Sequence, residues 1–191
     1  ARSFPRSGPD SVKPYVLPLV ILTVLAVGCA ASARKKPVIQ TSASGPKLRS
    51  MSFQVDTDSD LYVPATQAAA TWSRATGATI TVSPDGIIPI FRVETLDDNC
   101  THGRPSRACS YVTENLEDSW IEIPTTTHLS VLYRIILHEM GHHLRGTDGH
   151  VEGIPDALMA ANSSLAITEL LPEDVAFICD GHRIECPALH S

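Results

Sequence analysis

The sequence predicts an α+β fold, on three observations. Strand and helix candidates do not alternate one for one: the order is strand, helix, several strands, helix, loop, helix. The helical segments carry apolar residues three and four apart, whereas the strand segments are short runs bounded by Gly, Pro, Asp or Thr. The chain has 191 residues, 43% hydrophobic and 19% charged. That is enough for one domain with its own core.

The elements follow in chain order. Residues 52–55 form a short strand. Residues 63–76 form a helix, with Pro64 in the first turn, an apolar face from Ala68, Ala69, Ala70 and Trp72, and Gly77 as its stop. Residues 78–82 and 87–93 are strands flanking the turn Ser83-Pro84-Asp85-Gly86. Residues 97–107 are a polar loop. Residues 109–113 and 119–123 are further strands, the second ended by Pro124 and three threonines. Residues 128–145 form the second main helix, and residues 146–155 a loop. Residues 171–179 form a short last helix, with Pro172 near its first position and Glu173 and Asp174 in the first turn, where the macrodipole favours acids. Asp56, Asp58 and Asp60 alternate, but Leu61 and Gln67 stand where a calcium loop needs Gly and Glu. That stretch reads as a solvated turn.

The first 48 residues read differently. Residues 15–27 are an uncharged apolar run, preceded by Lys13 and closed by Ala26-Val27-Gly28-Cys29. A basic start, an apolar middle and a small-residue end describe an export signal. The run falls short of the roughly 20 apolar residues of a membrane span, and Pro18 interrupts it. A Cys straight after small residues resembles the lipobox of bacterial lipoproteins, with Ala26 where Leu or Val is usual. The resemblance implies cleavage before Cys29, lipid on that cysteine, and an anchor at the outer membrane or cell surface. An ordinary secretory signal, cut near Ala31 or Ala33, gives a periplasmic or secreted protein instead. Val12-Lys13 reads as an alternative translation start, so residues 1–11 are expected to lie outside the natural product. The expected organisation is a signal peptide over 1–28, lipidated Cys29 with a flexible tether over 29–48, and the folded domain over 49–191.

Four cysteines remain for an exported domain: Cys100, Cys109, Cys179 and Cys186. Two disulfides are expected. Three connectivities are open, and short loops favour Cys100–Cys109 and Cys179–Cys186. The spacings are not those of a Cys-x-x-Cys metal cluster. The net charge of -6 argues against nucleic acid as a partner, because phosphate binding needs clustered Lys and Arg.

The chemistry-bearing segment is His138-Glu139-Met140-Gly141-His142, preceded at helical spacing by Leu129, Leu132, Ile135 and Ile136. Four residues turn a helix by about 400°, so His138 and His142 share one face, one turn apart. That spacing lets both imidazoles bind one zinc ion. Glu139 flanks the stripe, placed to hold a water without ligating. A catalytic zinc site needs a third protein ligand and an open position.

With the downstream residues His150 and Ala157-Leu158-Met159, the segment resembles the metzincin clan, and within it the matrixin-like peptidases. The resemblance implies a zincin-like fold: a twisted mixed sheet, two main helices, a zinc cleft and a small C-terminal subdomain with a short helix. It implies a Met-turn at Met159 beneath the metal. The chain departs from the clan's HExxHxxGxxH pattern. Arg145 holds the glycine position, Gly146 follows one residue late, and Asp148 falls at the third-ligand position. Either the loop is longer and His150 binds zinc, or Asp148 does, with a remote Glu such as Glu169 or Glu173 as the remaining option. His143 points about 100° away from His142, which suits packing or a supporting hydrogen bond. The function implied is a monomeric zinc-dependent endopeptidase acting on protein or peptide, with Glu139 as general base. The alternative is a non-catalytic, zinc-containing surface lipoprotein that serves as a binding module.

Overall fold

A computed structural model describes residues 47–101 and 106–187, apart from the side chains of Asn99 and Cys100. The signal segment, Cys29 and most of the tether lie outside the described residues. Among the described residues there are five strands: β1 (Ser50–Gln54), β2 (Thr79–Ser83), β3 (Ile88–Val93), β4 (Cys109–Tyr111) and β5 (Trp120–Pro124). Three helices accompany them: α1 (Tyr62–Thr76), α3 (Leu129–Arg145) and α4 (Pro172–Cys179). A single turn, α2 (Asp98–Thr101), falls within the expected polar loop. The fold is α+β, as the element order predicts.

The sheet is mixed, with strand order β2-β1-β3-β5-β4. β1, β2, β3 and β5 run parallel, and β4 pairs antiparallel with β5 at the edge. Alternate residues bury one face, as a period of two requires. Met51, Phe53, Ile80, Ile88, Ile90, Ile121 and Ile123 are all buried. α1 and α3 pack against each other, and their apolar stripes join the same core through Ala65, Ala68, Trp72, Leu132, Ile136, Met140 and Leu144. Trp72 keeps its indole N–H satisfied by donating to the Leu137 carbonyl at 2.8 Å.

The turn at residues 83–86 does not close a hairpin. β2 and β3 flank β1, and β3 begins opposite Phe53, where β1 ends. The chain therefore crosses over the end of β1. Gly86 makes that crossing possible: a Cβ there would stand 2.2 Å from the backbone C and O of Phe53. The two main helices stop at glycines in the left-handed region, Gly77 (φ 77) and Gly146 (φ 90).

The residues just before β1 make contacts with the domain. Lys47 and Leu48 were expected in the tether, but both are bound to the domain. Leu48 bridges Ile184, with Leu48 N–H donating to Arg183 O at 2.7 Å, and Lys47 Nζ donates to Cys179 O at 2.7 Å. Backbone groups opposite the C-terminal segment account for this, and composition does not report them. Cys179 and Cys186 form a disulfide. Cys109 is also disulfide-bonded, while the side chain of Cys100 lies outside the described residues. Asp56, Asp58 and Asp60 fall in a turn before α1, where Asp60 pairs with Arg92 at 2.6 Å.

Candidate metal centre

The site is built on α3. Its sequence buries Leu132, Ile135, Ile136, Leu137, Met140 and Leu144 in the core, while His138, on another face, stays half-buried. His128 caps the N-terminus, its Nδ1 accepting from Ser130 N–H at 3.2 Å. At the other end Gly146 N–H donates to His142 O at 2.8 Å, and the chain leaves the helix there. His138 and His142 therefore stand on the last two turns. The loop that follows carries His150 back to them.

His138, His142 and His150 each offer one ring nitrogen, and these atoms lie within 4.8 Å of one another. The three histidines are positioned to hold a metal ion. Asp148 is exposed and outside this cluster. The reason is geometric: after a left-handed residue at Gly146, helical spacing no longer says which side chain returns.

The outer ring atoms fix the tautomers. His138 Nδ1 lies 2.7 Å from the Leu158 carbonyl, and His142 Nδ1 lies 3.3 Å from the Thr147 carbonyl. A carbonyl only accepts, so each Nδ1 carries the proton. Both Nε2 atoms are then bare lone pairs, and they face each other at 3.2 Å. Two lone pairs at that distance repel unless a cation lies between them. Ligating histidines commonly have their far nitrogen held this way. The residues present therefore fit a metal ion.

Burial keeps the rings neutral. It pushes His138 and His142 down to about 4 from an ordinary value of 6.5. It also lowers His150, against the opposing charges of Glu139 and Asp148. Neutral imidazole is the form that ligates. His143 lies on the opposite side, fully buried and edge-on to Phe53 at 6.0 Å. Burial pushes it down to about 3.

Glu139 is buried and stands outside the three-histidine group. Ser110 of β4 donates its hydroxyl to Glu139 Oε2 at 2.7 Å. Met159 is fully buried under the helix. A Cβ on Gly141 would stand 2.4 Å from Met159 Sδ, so the glycine inside the motif lets the methionine close up to α3.

Sequence reasoning missed the residues that hold this turn in place. Asp174 is fully buried in α4. Its Oδ2 accepts from the N–H groups of Leu158 at 3.0 Å and Leu171 at 2.9 Å, and its Oδ1 from that of Met159 at 2.8 Å. Buried Arg134 donates to Leu158 O at 3.2 Å, to Ser164 O at 3.3 Å and to Ser163 Oγ. The carbonyl that orients His138 is thus fixed from two sides. Val151 N–H donates to Met159 O at 2.9 Å, tying the His150 loop to the same turn. A signal existed for Asp174, an acid in a first helical turn, but it suggested only a dipole contact.

The chain matches no protein-family model and no curated protein.

Proposed function

We propose that the protein is a zinc-dependent endopeptidase with a metzincin fold of the matrixin-like kind. The observation that carries this reading is the approach of His138 Nε2 and His142 Nε2 at 3.2 Å, with His150 beside them and Glu139 adjoining. A donor set of three imidazoles suits zinc with an open fourth position. Zinc bound there supplies Lewis acidity and lowers the pKa of water toward neutrality. Glu139 is the general base. Ser110 holds its Oε2, and among the described residues nothing hydrogen-bonds Oε1. That oxygen takes the proton of the attacking water and passes it to the leaving amine.

β4 is the outermost strand on its side of the sheet and carries Ser110 beside Glu139. An extended peptide adds to such an edge by main-chain hydrogen bonds. That geometry supports a peptide substrate. The apolar run of residues 15–27 and Cys29, read as an export signal and a lipobox, support a place at a bacterial membrane surface, held by lipid.

The test is the substitution Glu139→Gln. It should keep one zinc per chain and lower hydrolysis of a casein-type substrate by about 100-fold or more, the range for loss of a general base. An unchanged rate would defeat the mechanism. A wild-type protein that holds zinc and cleaves nothing would favour the binding-module reading.

A further inference from the structure

We infer that Arg145 is a positioning residue for the metal site: it clamps the loop carrying His150 against the C-terminal helix. This rests on the zinc reading above and deepens it. Thr147, Asp148 and Gly149 are all exposed, so core packing does not hold the loop. Arg145, the last residue of α3, reaches both sides of it. Its guanidinium lies 3.6 Å over the ring of Phe177 in α4. Its Nη1 donates to the Phe177 carbonyl, and its Nε donates to Thr147 Oγ1 at 3.1 Å. Gly149 runs over the same assembly: a Cβ there would meet Thr147 Oγ1 at 3.5 Å, Phe177 Cζ at 3.6 Å and Arg145 Nε at 3.7 Å. The next residue is His150.

The far side of the clamp is itself fixed. Phe177 lies two residues before Cys179, whose disulfide to Cys186 closes the end of α4. Gly181, inside that closed loop, sits against Arg145, where a Cβ would stand 2.7 Å from Arg145 O and 2.8 Å from its Cγ. The geometry requires a planar fork that stacks and donates in two directions at once. Lysine has the charge but neither the plane nor the fork.

The test is zinc affinity, measured by competition with a chromophoric chelator on the metal-free full chain. Five proteins are compared: wild type, Arg145→Ala, Arg145→Lys, His150→Ala and the double variant Arg145→Ala/His150→Ala. Loss of a group that orients a ligand weakens metal binding by about 10- to 100-fold. Arg145→Ala should show that loss, and Arg145→Lys should not restore it. On the His150→Ala background the same change should cost less than about threefold, because interacting residues are not additive. An equal loss on both backgrounds would mean general loosening and would overturn the inference, as would no loss on either. A wild-type chain that takes up no zinc would overturn the parent reading first, and the two failures are thereby distinct.

Discussion

The direction of Glu139 is set from outside its own helix. The helical period places it beside His138 and His142, and that much is legible in five consecutive residues. Its hydrogen bond from Ser110 spans 29 positions, and the bond from His138 to Leu158 O spans 20. Such contacts leave no periodic trace. Gly141 makes the same point. Inside the motif it looks like a spacer, yet Met159 Sδ occupies the space a Cβ would need. Gly141→Ala should gain about 1 kcal/mol of helix propensity and lose about 1–3 kcal/mol to overpacking in a closed core. Net destabilisation by about 1 kcal/mol is expected, read as a fall in the urea midpoint. A rise in the midpoint would mean that the core beneath the site is looser than the packing indicates.

At the scale of elements, the two main helices were legible because their stops are glycines and their apolar stripes are continuous. The strands were legible as segments but not as partners. The turn before β3 gave no sign that the chain crosses β1, because parallel pairing depends on residues some thirty positions away. The third ligand was also open from sequence, since a left-handed residue ends the helical register at Gly146. In α4 the reading was coarser still. Glu173 and Asp174 look alike as first-turn acids, but Glu173 is exposed and Asp174 buried. Asp174 anchors the Met159 turn by accepting three backbone N–H groups. Asp174→Asn puts an NH2 where an acceptor is needed and leaves at least one N–H unpaired. The expected cost is about 2–3 kcal/mol, with weaker metal binding, because Leu158 O loses its support. Chemical denaturation with and without zinc checks both; unaltered stability would remove Asp174 from that role.

Across the described residues, the sheet and α1 pack against α3, and Asp174 of the C-terminal segment anchors the turn beneath the site. The site brings three neutral histidines together and keeps them neutral by burial, which has a cost without metal. His138 and His142 are pushed down to about 4, and His143 to about 3. In the unfolded chain His138, His142 and His143, the last lying outside the site, return to an ordinary value near 6.5. Below 6.5 the unfolded state therefore binds more protons, and stability falls as pH falls through the window from about 6.5 to 3. Metal-free protein should lose on the order of a few kcal/mol between pH 7 and pH 5, and a midpoint flat over that range would contradict the burial. Zinc should offset part of the loss by binding the folded state alone. The most direct measurement is metal content after dialysis against zinc, for the wild-type chain and for His142→Ala. One zinc per wild-type chain, and none on the variant, is the result expected. A wild type that stays metal-free, or a variant that binds as well as the wild type, would contradict it.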